Sequence, residues 1–141
     1  MSYLLDTNIV SEWVKTRPDS GVVNWLETAD EDRVFISVVT LAELRYGVER
    51  MPSGARRSRL EKWLRDELPA RFEGRVLPVD GGVADAWGRI LARSESTGRR
   101  MSAIDGFIAA TAETRGLALV TRNTAHFQFS VKAVVNPWNT A

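Results

Sequence analysis

Hydrophobic positions along the 141-residue chain fall into short blocks that alternate between strand-like runs and helical spacing. Tyr3 to Leu5 is a brief apolar run that reads as a strand and stops at the polar triplet Asp6-Thr7-Asn8, which suits a strand-to-helix turn. Ile9, Val10, Trp13 and Val14 follow at helical spacing until Arg17-Pro18, and Asp19-Ser20 opens a second helix carrying Val22, Val23, Trp25 and Leu26. Arg33 to Ser37 is a second strand. A third helix starts at Thr40, places Leu41, Leu44, Val48 and Met51 at intervals of three to four, and ends near Pro52-Ser53-Gly54. Ala55 to Phe72 is helical again and the most charged stretch. Arg75 to Val79 reads as an edge strand, because Pro78 cannot donate to a ladder on both sides. Val83 to Arg93 is a helix with Trp87, Ile90 and Leu91 inward, running out at Thr97-Gly98. Ser102 to Ala112 opens a helix with almost no polar face, closed by Gly116, and is expected in the middle of the fold. Leu117 to Val120 and Val131 to Val135 are the last strands.

Short strands alternating with helices, several with no polar alternation, predict an α/β domain whose parallel sheet is covered on both faces. In such sheets the functional crevice lies at the carboxyl ends of the strands. Asp6 and Asn123 both come to that edge, since each follows a strand. The chain holds no internal repeat, linker or low-complexity tract, so one domain over residues 1–141 is expected.

Composition narrows the chemistry. With 44% hydrophobic and 26% charged residues the chain is globular in character, and its net charge of +1 gives no global field for avid nucleic-acid binding. It contains no cysteine, which removes disulfides, thiolate ligands and thiol nucleophiles; any metal has to be held by oxygen or by the lone His126. No apolar run approaches the roughly 20 residues of a membrane span, and no basic segment leads into an apolar core, so a cytoplasmic protein without a membrane role is expected.

Three acids stand out: Asp6, Glu43 and Asp105. Each has a plain reading as a helix cap, Asp6 for the helix beginning at Ile9, and Thr40-Leu-Ala-Glu43 and Ser102-Ala-Ile-Asp105 as capping boxes. Asp105 is otherwise costly, because Ile108, Ala109 and Ala112 make its stripe apolar. A parallel sheet gathers such helix starts at one end, where carboxylates repel and raise each other's pKa unless a cation sits among them. Oxygen donors of this kind suit Mg²⁺ or Mn²⁺ better than Zn²⁺.

Leu5-Asp6-Thr7-Asn8, Thr40-x-Ala-Glu43-Leu44, Asp105-Gly106-x-Ile108-Ala109-Ala110 and Thr121-Arg122-Asn123-x-x-x-Phe127 resemble the four signature segments of the PIN domain. The stretches Asp6 to Glu12, Ala42 to Gly47, Asp105 to Ala112 and Asn136-Pro-Trp138 are most similar to the FitB branch of the VapC-type toxins. The resemblance implies a three-layer α/β/α fold with a central parallel sheet of about five short strands. It implies a Mg²⁺- or Mn²⁺-dependent endoribonuclease, a toxin of a type II toxin–antitoxin pair, with Asp6, Glu43 and Asp105 as catalytic and metal-binding acids. It further implies a homodimer restrained by a small VapB-type antitoxin, with DNA bound only through that partner. The chain departs from the pattern at Asn123, where many members carry an acid; no acid occurs from Gly116 onward. Asn123 can offer a carbonyl or orient a water, but not the charge that helps hold a second cation.

Thr7, Asn8, Thr121 and Asn123 are expected to orient carboxylates and water, and Arg99, Arg100 and Arg122 to meet RNA phosphates. Seven basic residues against four acidic ones between Arg56 and Arg75 read as a solvated, salt-bridged face, with Glu61 and Arg65 as an i, i+4 pair. Trp13 and Trp63 are suspects for a dimer or antitoxin surface, and His126, between Phe127 and Phe129, reads as structural. Two other classes compete with the nuclease. One is an interaction domain whose acids only cap helices. The other is a phosphotransferase using Asp6 as nucleophile, which wants a second acid where Asn8 stands.

Overall fold

The structure, a computed structural model, describes residues 1–138. Five strands, β1 (Tyr3–Leu5), β2 (Val34–Ser37), β3 (Val76–Leu77), β4 (Ala118–Val120) and β5 (Val134–Val135), form one sheet in the order β3-β2-β1-β4-β5. Every pairing is parallel, as the all-apolar strands predict. Alternate residues of the central strands serve opposite layers. Leu4 and Leu119 pack with α6 (Gly81–Ser96), α7 (Ala103–Arg115) and Phe127 of α8 (Thr124–Phe127). Leu5 and Val120 pack with α1 (Thr7–Trp13), α2 (Ser20–Thr28) and the helical stretch that ends the charged segment.

Helix boundaries depart from expectation where a cap was misassigned. Helix α3 (Val38–Glu49) starts ahead of Thr40, because the hydroxyl of Ser37 at the end of β2 already accepts from the Val39 N–H at 3.0 Å. Thr40 and Glu43 are therefore interior residues, not a capping box. Likewise α1 begins at Thr7, with Asp6 as its N-cap. The single helix expected over Ala55 to Phe72 is divided into α4 (Ala55–Lys62), a π-helical turn (Trp63–Glu67) and α5 (Leu68–Arg71). Pro69 has no N–H and its ring crowds the preceding turn; the widened turn, with the Leu68 N–H reaching back to the Trp63 carbonyl, accommodates it. On the charged face Glu61 pairs with Arg57 at 3.2 Å, while Arg65 turns to Asp66. The last strand keeps only Val134–Val135 of the predicted run, and α8 fills part of the segment before it.

Two features place the site. Leu5 and Val120 are register partners, so Asp6 and Thr121 emerge side by side at the carboxyl edge of the sheet. Helix α7 is buried along Ile108 to Ala112, as its sequence requires, and delivers Asp105 in its first turn. Gly106, next to it, is where α6 comes close: a Cβ there would lie 2.4 Å from Leu91 Cδ2 and 2.9 Å from Trp87 Nε1.

Candidate active site

Asp6 is almost wholly buried, at 5% exposure, and each of its oxygens is engaged. Oδ1 accepts from the Thr7 N–H at 2.8 Å. Oδ2 accepts from the Thr121 hydroxyl at 2.8 Å and, at 3.4 Å, from the Asn8 amide. Burial is the main influence on its acidity and pushes its pKa above the ordinary carboxylate value; the Thr121 and Thr7 hydrogen bonds oppose that, and the charges of Asp105 and Glu43 add to it. The two other acids thus share an electrostatic neighbourhood with Asp6.

Thr121 holds the centre of this arrangement. Fully buried, its hydroxyl donates to Asp6 and accepts from the Asn123 N–H at 3.0 Å and the Asn8 amide at 3.3 Å. Asn8 closes the ring by accepting from the Arg122 N–H at 3.4 Å. Glu43 is half-buried and its Oε1 accepts from the Thr7 hydroxyl, which also lies 3.1 Å from the buried Thr40 hydroxyl. Asp105 is half-buried; its N–H donates to the Ser102 hydroxyl at 3.1 Å, and its Oδ2 lies 3.4 Å from His126 Nδ1.

Asp6, Glu43 and Asp105 line one open cleft of about 360 Å³, together with Asn8, Arg122 and Asn123. Among the described residues they are not drawn into a closed three-carboxylate ligand set. The donor set fits a hard cation all the same. The site is acidic and made of oxygens; the hydrogen bonds to Glu43 and the ion-pair contact of Asp105 each involve one carboxylate oxygen, leaving Glu43 Oε2 and Asp105 Oδ1 for a ligand. Asn123 is exposed, and its side chain makes no cap on α8.

Two residues of this region were not legible as such. Glu12, buried at the cleft wall, binds Lys15 Nζ at 2.7 Å and the Asp19 N–H at 2.8 Å. The Lys15 hydrogen bond, foremost, holds its pKa below the usual glutamate value. Only its place in the Asp6-to-Glu12 stretch hinted at it. His126 is not a core residue: α8 turns Phe127 inward, and leaves the imidazole 60% exposed beside Asp105. Of the basic residues, Arg122 sits in the cleft with its guanidinium 5.3 Å from the Trp138 ring centre, while Arg99 and Arg100 line a second pocket that shares Asp105. Trp13 and Trp63 line a shallow hollow of about 280 Å³, away from the acids, where Arg71 lies over the Trp13 ring.

Residues 3–132 match the PIN domain. The chain is 36% identical to a VapC ribonuclease of Sinorhizobium fredii over 138 residues, 98% of this chain and 99% of that one. It is 38% identical to toxin FitB of Neisseria gonorrhoeae over 136 residues, 96% of this chain and 98% of that one. Among solved structures it resembles FitAB bound to an IR36 DNA fragment, with a TM-score of 0.91 and 35% identity over 99% of this chain and 97% of that one.

Proposed function

The chain belongs to the PIN-domain family, and from that premise we propose that it is a cytoplasmic, Mg²⁺- or Mn²⁺-dependent endoribonuclease, the toxin of a type II toxin–antitoxin pair. The observation that carries this reading is the convergence of Asp6, Glu43 and Asp105 on one cleft at the carboxyl edge of the sheet. A buried carboxylate whose pKa is raised by its surroundings and by two further acids is an unfavourable arrangement for a mere helix cap. Among the described residues no helix is long and apolar enough to cross a membrane.

Asp6 and Asp105 would hold the ion, with Glu43 completing its surroundings. When bound, a divalent ion supplies positive charge against the phosphate and makes water a better nucleophile. The chain's own contributions are positional. Thr121 and Thr7 fix the two oxygens of Asp6, and Thr7 also fixes Glu43, so two acids keep their orientation before substrate arrives. Glu43, through its free Oε2, is the group placed to take a proton from attacking water. Asn8 braces the Asp6 carboxylate and Thr121, Asn123 would orient water through its amide, and Arg122 would meet the phosphate backbone. The cognate antitoxin, a second copy of the chain in a homodimer, and DNA held through the antitoxin complete the set of partners.

The experiment is RNA cleavage by purified Asp6→Asn, Glu43→Gln and Asp105→Asn proteins alongside wild type, with Mg²⁺, Mn²⁺ or EDTA. Asn caps a helix about as well as Asp but is a far poorer ligand for a hard cation, so folded variants with cleavage reduced by about 100-fold or more are expected. Mn²⁺ binding followed by electron paramagnetic resonance should weaken in parallel. Folded Asp6→Asn and Asp105→Asn proteins that cleave like wild type would sink the nuclease reading in favour of an interaction domain.

A further inference from the structure

We propose that the pocket beside the acid cleft seats one unstacked nucleobase of single-stranded RNA, next to the phosphate presented to Asp6, Glu43 and Asp105; this rests on the nuclease reading above. The pocket measures about 830 Å³, within the range of small-molecule sites and much larger than the acid cleft. Asp105 and the neighbouring His126 line it, and Asp105 lines the acid cleft as well, so the two hollows are adjacent. A strand with its phosphate at the acids has its adjacent nucleotide at this opening.

What lines the pocket matches that nucleotide. Phe129 is 67% exposed, and the Arg99 guanidinium lies 3.3 Å from its ring centre. The guanidinium stands against the ring, and most of the Phe129 side chain is left open to solvent. An arginine-backed aromatic ring is a stacking platform for a base of any sequence. Among the described residues, Arg99 and Arg100 have no carboxylate partner, whereas Arg93 on the same wall faces Glu113 at 3.9 Å. Two guanidinium groups without a carboxylate partner, one of them stacked on the ring, complement a nucleotide's flanking phosphates better than they complement an apolar peptide. Ser102, spent on capping α7, and Met101 form the floor near Asp105.

The test is binding of short fluorescent single-stranded RNAs in EDTA, where cleavage is off, by wild type, Phe129→Ala and Phe129→Tyr proteins. A series of RNAs carries a single abasic residue moved position by position. For wild type, one position is expected at which loss of the base weakens binding about tenfold. Phe129→Ala should bind intact RNA about tenfold more weakly and be indifferent to that same abasic position, and Phe129→Tyr should behave like wild type. Phe129→Ala as sensitive as wild type to every abasic position would overturn the proposal. So would unchanged RNA affinity accompanied by a lost dimer in light scattering or lost antitoxin binding, which would give the pocket to a protein partner. Failure of wild type to cleave any RNA with Mg²⁺ tells against the nuclease itself; normal cleavage with a silent Phe129→Ala tells against the base pocket alone.

Discussion

Replacing Thr121 by valine removes one hydroxyl and almost no volume, which makes it a direct probe of how Asp6 is held. The hydroxyl donates to Asp6 Oδ2 at 2.8 Å inside a fully buried site, a hydrogen bond to a charged acceptor worth about 1.5–3 kcal/mol. Its loss also strands the Asn8 amide and the Asn123 N–H, but both belong to partly or fully exposed residues that water can reach. The added methyl makes none of these bonds and faces the Asp6 carboxylate, so a net cost of about 2 kcal/mol is expected. For a chain of this size that lowers Tm by about 6–8 °C. Metal affinity should fall as well, by about 10- to 100-fold, because the ligand is no longer oriented. Thermal unfolding in EDTA and Mn²⁺ titration measure the two effects, and Thr121→Ser, which keeps the hydroxyl, should restore metal binding. A valine variant that melts within about 2 °C of wild type and binds Mn²⁺ equally well would refute the view that Thr121 positions Asp6.

Other consequences are open to measurement. Because burial raises the Asp6 pKa in the folded chain, the fold favours its neutral form: this contribution to stability is fully present below the unfolded carboxylate pKa and is lost as pH rises through the raised one. Metal-free protein should therefore lose stability over that window, Mn²⁺ should restore it, and Asp6→Asn should show no such loss; thermal unfolding against pH in EDTA decides it. Gly106→Ala gains about 1 kcal/mol of helix propensity, but its methyl meets the Trp87 indole, which is pinned by a 3.0 Å bond to the Ala103 carbonyl and a stack on Phe107. A net destabilisation of about 1 kcal/mol is expected from urea unfolding, and a more stable variant would contradict the packing described between α6 and α7.

Strand and helix order were legible because each rests on local periodicity: the apolar runs at Tyr3 to Leu5 and Leu117 to Val120 lie at the centre of the sheet. Membership of the acid cleft was legible for Asp6 and Asn123 from their position after strands, and for Asp105 from its helix start. Glu43 was harder to read, since Ser37 rather than Thr40 caps its helix and its partner Thr7 lies 36 residues away. Contacts of that kind leave no periodic trace. Glu12 was missed for the same reason, its role depending on the Asp19 backbone across a loop. The exposure of His126 beside Asp105 was not legible, because α8 and the turn after it separate the fates of neighbouring aromatic residues, Phe127 buried and Phe129 open. The π-helical turn has no periodic signature of its own; it arises because the helix continues past Pro69.

The bond between Thr121 and Asp6 joins residues 115 apart, and it depends on β4 lying against β1. A ribosome that has made the first hundred or so residues has already exposed Asp6 and Glu43, yet Asp6 at that stage has neither its hydroxyl donor nor the strand beside it. The hydrogen-bonded arrangement around Asp6 is thus complete only when the final stretch of the chain has been made. A chain that ends before β4 can carry all three acids and still lack the hydroxyl and the neighbouring strand that hold Asp6 in place.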